Sequence, residues 1–176
     1  TAEFSPGSET PAAFTKARSD AGTRFRVAVA EGVTSWQVIE GLKSVDVLDG
    51  ASGDIPAEGT LAPDSYEVRV GDTRASVLAR MTEAQSVLLA SAWEGRASGL
   101  PLASPEEALI LASIIEKETG VAEERGQVAS VFINRLNRGM KLQTDPTVIY
   151  GITKGEGVLG RGLRQSELRR ETPWNT

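Results

Sequence analysis

From Arg24 to Ala30 apolar Phe25, Val27 and Val29 alternate with Arg26 and Ala28, a period of two that predicts a half-buried strand. Gly32 turns the chain, and the period then changes. Trp36, Val38, Ile39 and Leu42 recur at helical spacing, Thr34 suits an N-cap and Gln37 completes a capping box, so a helix is predicted from Ser35 to about Ser44, weakened by Gly41. Turn formers fill Gly50 to Gly59. Leu61, Tyr66, Val68 and Val70 then bring the chain back as an extended segment between Thr60 and Val70, interrupted at Pro63. Strand, helix and strand make a small module, placed at 23–72.

Beyond it the pattern is helical. Val77, Met81, Val87, Leu88, Ala92 and Trp93 mark one long helix from Thr73 to Ala97, closed by Gly95 and Gly99. Ser104 as N-cap, Pro105 at the first helical position and Glu106 and Glu107 in the first turn start another. A third runs from Glu124 to Arg138, with Val128, Val131, Phe132 and Leu136 on one stripe and Gly139 just past its end. Asp145 as N-cap before Pro146 predicts a short turn ending near Gly151. Thr1 to Gly22, rich in Ser, Thr, Pro, Gly and Ala without a sustained period, reads as a flexible tail or linker. The fold class expected is α+β, the small module being followed by a mainly helical domain over 73–176.

Composition narrows the chemistry. With no cysteine and no histidine there is no disulfide, no thiolate or imidazole metal site and no Ser-His or Cys-His pair, so acid/base work falls to Asp, Glu, Tyr or Lys. No metal and no cofactor is expected. A formal charge of −5 argues against a nucleic-acid partner, whose affinity comes from a basic surface. No run reaches the roughly 18 apolar residues of a membrane span. The chain starts without Met and stops abruptly at Thr176, which suggests an excised fragment whose anchor or targeting segment lies elsewhere.

On a wheel of about 100° per residue, Leu111, Ile114 and Ile115 centre the apolar face of the helix that begins near Pro105, and Glu118 falls between Ile114 and Leu111. Glu116 lies about 200° away, on the flank of Leu109 and Ala112. A carboxyl group against an apolar wall is expected to hold its proton more tightly, and so to donate near neutral pH. Glycosidic cleavage needs such a donor. The ordinary alternative is a helix-terminal acid paired with Arg125 or Arg135. Asn134, Arg135 and Asp145 likewise have structural readings, as solvated or capping residues.

The run ILASIIEKETGVAEERGQVASVFINRLNRGMKLQTDPTVIYGI, Ile110 to Ile152, closely resembles the signature of the YceG-like, MltG-type endolytic murein transglycosylases. SAWEGRASGLP at Ser91 to Pro101 and EGTLAPDSYEV at Glu58 to Val68 resemble further landmarks of that family, so the likeness extends from about Arg24 to the end. It implies that Glu118 in the EKET segment is the catalytic acid, with the Thr119 hydroxyl helping to hold its carboxyl group and Glu116 as fallback. It also implies a substrate cleft carrying Gln143, Thr144, Asp145 and Tyr150 of the QTDPTVIY motif, Asn134 and Arg135 of NRL, and Asn175 of the terminal Trp174, Asn175, Thr176 segment.

The implied fold is a LysM-like subdomain followed by a lysozyme-like catalytic domain. The family's Gly-Pro-rich segment and histidine-containing tail are missing, so the domain reads as truncated at its C-terminus. The implied activity is endolytic cleavage of the bond between N-acetylmuramic acid and N-acetylglucosamine, leaving 1,6-anhydromuramyl ends and ending nascent strands. The partners implied are peptidoglycan glycan strands and neighbouring peptidoglycan synthases, at an inner membrane reached through an anchor outside this chain, with the catalytic part in the periplasm. Two other readings stay open. One is a muramidase in which Asp145 or Glu116 activates water, and the other is a non-catalytic glycan-binding or scaffold fragment.

Overall fold

The computed structural model describes residues 24–175. The predicted tail at 1–22 and the terminal Thr176 lie outside them. Strands β1 (Arg24–Ala28) and β2 (Ser65–Arg69) pair antiparallel, with Phe25 opposite Val68 and Val27 opposite Tyr66. Helix α1 (Ser35–Lys43) lies between them in sequence and contributes Val38, Ile39 and Leu42 to the core that holds Val27, Tyr66 and Val68. The capping box forms as the sequence predicts: Gln37 N–H donates to Thr34 Oγ1 at 3.2 Å, and Thr34 N–H to Gln37 Oε1 at 2.8 Å. Tyr66 keeps its ring in the core because its hydroxyl donates to the Ala62 carbonyl at 2.8 Å.

Helix α2 (Arg74–Glu94) completes this core with Val77, Leu78 and Met81. Its second half does not follow. The helix forms as expected, but Val87, Leu88 and Ala92 are exposed, and Trp93 is half-buried beneath the Arg96 guanidinium. Length gives the reason. Twenty-one helical residues extend about 31 Å and five-residue strands about 17 Å, so α2 outruns the sheet it packs on.

At the start of α2, Arg74 sits where a positive charge opposes the helix dipole. Its guanidinium is nonetheless held by the carbonyls of Leu42, Lys43, Val45, Leu48 and Gly50, at 2.6 to 3.3 Å. Leu42 and Lys43 end α1, where unpaired carbonyls and the negative dipole end attract a cation. One side chain therefore fastens the end of α1, the following loop and the start of α2 together.

Helices α3 (Pro105–Glu118) and α4 (Arg125–Asn137) follow, joined through a 3-10 turn at Ala122–Glu124, and then the shorter α5 (Asp145–Thr153) and α6 (Gln165–Leu168). Ser104 accepts from Glu107 N–H and Pro105 opens α3, as predicted. A second, smaller core joins Leu111 and Ile114 of α3 to Phe132 of α4, flanked by Leu102, Ile115, Val128 and Leu142. Val131, expected on the α4 stripe, is instead exposed. Gly139, at φ +64°, ends α4 in a Schellman arrangement: its N–H donates to Leu136 O at 3.0 Å and Met140 N–H to Arg135 O at 2.9 Å. The fold is thus α+β, mostly helical, with one two-stranded sheet among the described residues.

Candidate active site

Glu118 is the last residue of α3, and Thr144 immediately precedes α5. The two meet: the Thr144 hydroxyl donates to Glu118 Oε1. Thr144 is buried whereas Glu118 is exposed. The expected burial of Glu118 is therefore corrected. The wheel fixes the direction of a side chain but not how far along the helix its neighbours extend, and the apolar cover of this face stops at Leu111 and Ile114. Glu118 emerges past that cover, resting one oxygen on a buried hydroxyl instead of facing an apolar wall.

The pairing with arginine is also excluded. Arg125 forms its ion pair with Glu116 at 2.9 Å, and Arg135 donates to the carbonyls of Lys141 and Leu142 at 3.1 and 2.8 Å. Arg135 thereby pins the loop that leads into Thr144. Thr119 does not hold the Glu118 carboxylate. Its buried hydroxyl donates to Glu124 Oε2 at 2.8 Å and accepts from Val121 N–H at 3.0 Å, which shapes the turn between α3 and α4.

The start of α5 differs from the sequence reading by one residue. Thr144, not Asp145, is the cap position, and Asp145 stands in the first turn, exposed, where its charge favours the helix dipole. Thr144 makes no side-chain capping bond because its hydroxyl is directed at Glu118. Gln143, exposed, takes a left-handed φ of +52°, uncommon for a residue with a Cβ and a type of strain that concentrates at functional sites.

Among the described residues no hydrogen bond joins Tyr150, Asn134 or Asn175 to this pair. Tyr150 is half-buried, its ring centroid 6.4 Å from that of Trp174, and the Lys154 ammonium sits 3.1 Å over the Trp174 ring. Burial, reinforced by the charge of Glu58, pushes the Tyr150 phenol above its ordinary value. Asn175 spends its amide on the carbonyls of Leu168 and Arg170, at 2.8 and 2.7 Å, and so closes the loop after α6. Asn134 is exposed on α4 with no side-chain hydrogen bond among the described residues. A surface depression lies instead at the α2–α3 connection, lined by Arg96, Gly99, Leu100 and Leu102. Among the described residues no group of three His, Cys, Asp or Glu side chains could hold a metal ion.

Sequence reasoning missed one cluster. Thr34 Oγ1 donates to the Gly155 carbonyl at 2.7 Å, and Glu58 accepts from Ser35 N–H at 2.9 Å while its other oxygen lies against Gly155. Thr34 had a capping role and Glu58 lay in a family-like stretch, but their junction with Gly155 is a long-range contact that no periodicity encodes.

Chemically, the Glu118–Thr144 pair is a carboxyl group fixed by one donor and open on its other side. Such a group can give and take a proton at a substrate lying along the surface.

A family model described as YceG-like matches residues 2–176. The chain is 31% identical over 121 residues to the endolytic murein transglycosylase of Bacillus subtilis (strain 168), an alignment covering 69% of this chain and 32% of the relative. It is 32% identical over 140 residues to that of Streptococcus pneumoniae serotype 2 (strain D39 / NCTC 7466), covering 79% and 24%. A crystal structure of a yceG-like protein from Listeria monocytogenes matches with a TM-score of 0.63 at 25% identity, over 87% of this chain and 59% of that one. The chain spans about a quarter to a third of the length of the curated relatives.

Proposed function

The chain belongs to the YceG-like family, and from that premise we propose that it carries the catalytic acid of an endolytic peptidoglycan lytic transglycosylase, with Glu118 as the single acid/base. The observation that carries the reading is the contact of Glu118 Oε1 with the buried Thr144 hydroxyl, which holds an otherwise exposed carboxyl group in one place. Relatives named endolytic murein transglycosylases support the substrate class.

Protonated Glu118 donates to the oxygen between N-acetylmuramic acid and N-acetylglucosamine as the C1–O bond breaks. The substrate's own N-acetyl oxygen supports the electron-poor C1, so no enzyme nucleophile is required. Glu118, now ionised, takes the proton of the muramyl 6-hydroxyl while that oxygen closes on C1. A 1,6-anhydro ring forms, no water is consumed and Glu118 ends as it began. Ring closure gains from a nucleophile already attached to the reacting sugar.

The exposure of Glu118 suits the endolytic mode. A strand cut in its interior continues in both directions, and an open ledge admits it where a closed pocket would accept only an end. Tyr150 and Asn134, with Gln143 and Asp145 beside Thr144, are the residues proposed to meet the strand. Asn175 supports the site through its loop. A LysM-like grip on glycan by the small module, neighbouring synthases and a membrane anchor belong to the same proposal for the whole protein. No helix among the described residues is long and apolar enough to cross a membrane.

Glu118→Gln tests the assignment directly. The variant is expected to release anhydromuramyl products from sacculi at least about 10²-fold more slowly. Release at the wild-type rate would overturn it, and products heavier by one water would show hydrolysis instead.

A further inference from the structure

The Thr34–Gly155 contact joins the first helix of the small module to the turn that ends α5. Gly155 is buried at φ +80°, and a Cβ placed on it would lie 2.8 Å from Glu58 Oε1, 3.2 Å from the Tyr150 ring and 3.3 Å from Thr34 Cβ. Only glycine fits there without displacement. Glu58 is fixed in turn by Ser35 N–H, and Ser35 Oγ donates to the Ala57 carbonyl at 3.2 Å. On α3 the module makes two more close approaches: Gly59 against Leu109, and Gly32 against Glu116 and Lys117.

The module is therefore fastened both to the helix that ends in Glu118 and to the helix that Thr144 begins. We infer that Thr34, through its hydrogen bond to Gly155, is a positioning residue for the Glu118–Thr144 pair, so that the small module sets the geometry of the acid as well as any grip on glycan. The inference rests on the proposed acid/base role of Glu118. The Thr34 hydroxyl has two uses, and they can be separated. As acceptor it caps α1; as donor it holds Gly155. Aspartate is a good N-cap acceptor but, ionised, has no proton to give. Serine keeps both.

The experiment compares Thr34→Asp and Thr34→Ser in the full chain, measuring kcat and KM for anhydromuramyl release from purified sacculi and amide hydrogen exchange across residues 144–155. Thr34→Asp is expected to lower kcat by about 10- to 100-fold, the cost of a misplacement of roughly 1 Å, with KM within about twofold and faster exchange over 144–155. Thr34→Ser should restore both. A rise in KM at unchanged kcat would overturn the inference in favour of a module that only binds substrate, and so would unchanged exchange. If Thr34→Asp does not fold, Gly155→Ala breaks the same contact from the other side and decides by the same readouts. If the wild-type chain releases no anhydro product, the catalytic reading fails. Faster exchange in Thr34→Asp would still uphold the clasp as the support of α5, and unchanged exchange would remove it.

Discussion

Replacing Thr144 in two ways separates chemistry from packing at the candidate site. Thr144→Val keeps the branched shape of a side chain that is only 4% exposed but deletes the donor to Glu118. A hydrogen bond to a charged group is worth about 1.5–3 kcal/mol. Here the acceptor is exposed and water can replace the donor, so the expected loss of stability is nearer ~1 kcal/mol. Thr144→Ser keeps the donor and removes one buried methyl, again about 1 kcal/mol. Each should lower the melting temperature by only about 2–4 °C. Activity should divide them sharply. Without its donor the Glu118 carboxyl group is free to rotate, and loss of a near-attack geometry costs roughly 10- to 100-fold in rate, whereas the serine variant should stay within a few-fold of wild type. Anhydromuramyl release from sacculi, read beside thermal melts, makes the comparison. If valine is active and serine is not, Thr144 serves packing and the carboxylate needs no support from it.

Other expectations follow from single contacts. Arg125→Ala breaks an ion pair whose side chains are 45% and 28% exposed, so stability should change by no more than about 1 kcal/mol in denaturant titration, with kcat retained, because the pair involves Glu116 and not Glu118. Gly59→Ala puts a methyl 2.7 Å from Leu109 Cδ2 at a φ of +78°, and overpacking with left-handed strain should cost about 2–4 kcal/mol by urea unfolding. Glu167 is held at about 2, below its ordinary 4.5, first by hydrogen bonds from Arg161 and then by Arg164 N–H. Its contribution to the folded state is present above about 4.5 and is lost as pH falls through about 2, and Arg161→Ala should move its carboxyl titration, followed by NMR, up toward 4.5.

Local structure was largely legible in the sequence, because local signals determine it. The Thr34–Gln37 capping box, Ser104 with Pro105, and Gly139 after α4 are short-range chemistry and formed where the pattern put them. What periodicity could not convey was reach. Val87 and Leu88 carry helical spacing, yet both are exposed, because the sheet is shorter than α2. Glu118 failed in the same way, aligned with Leu111 but beyond the end of its cover. Within the site, motif resemblance drew Glu118 and Thr144 together in one short list. Which hydroxyl meets the carboxylate depends on where α5 docks, and the adjacent Thr119 was the natural but incorrect choice.

The five-carbonyl grip of Arg74 has a consequence for how this chain can vary. Its guanidinium binds main-chain oxygen atoms, so it does not read the side chains at 43–50, of which Leu48, and in part Val45 and Val47, are fixed instead by packing in the core. Spacing is another matter. Adding or removing one residue in that stretch would carry several acceptors out of range together, so this loop should keep its length even where its exposed side chains, Lys43, Ser44 and Asp46, vary.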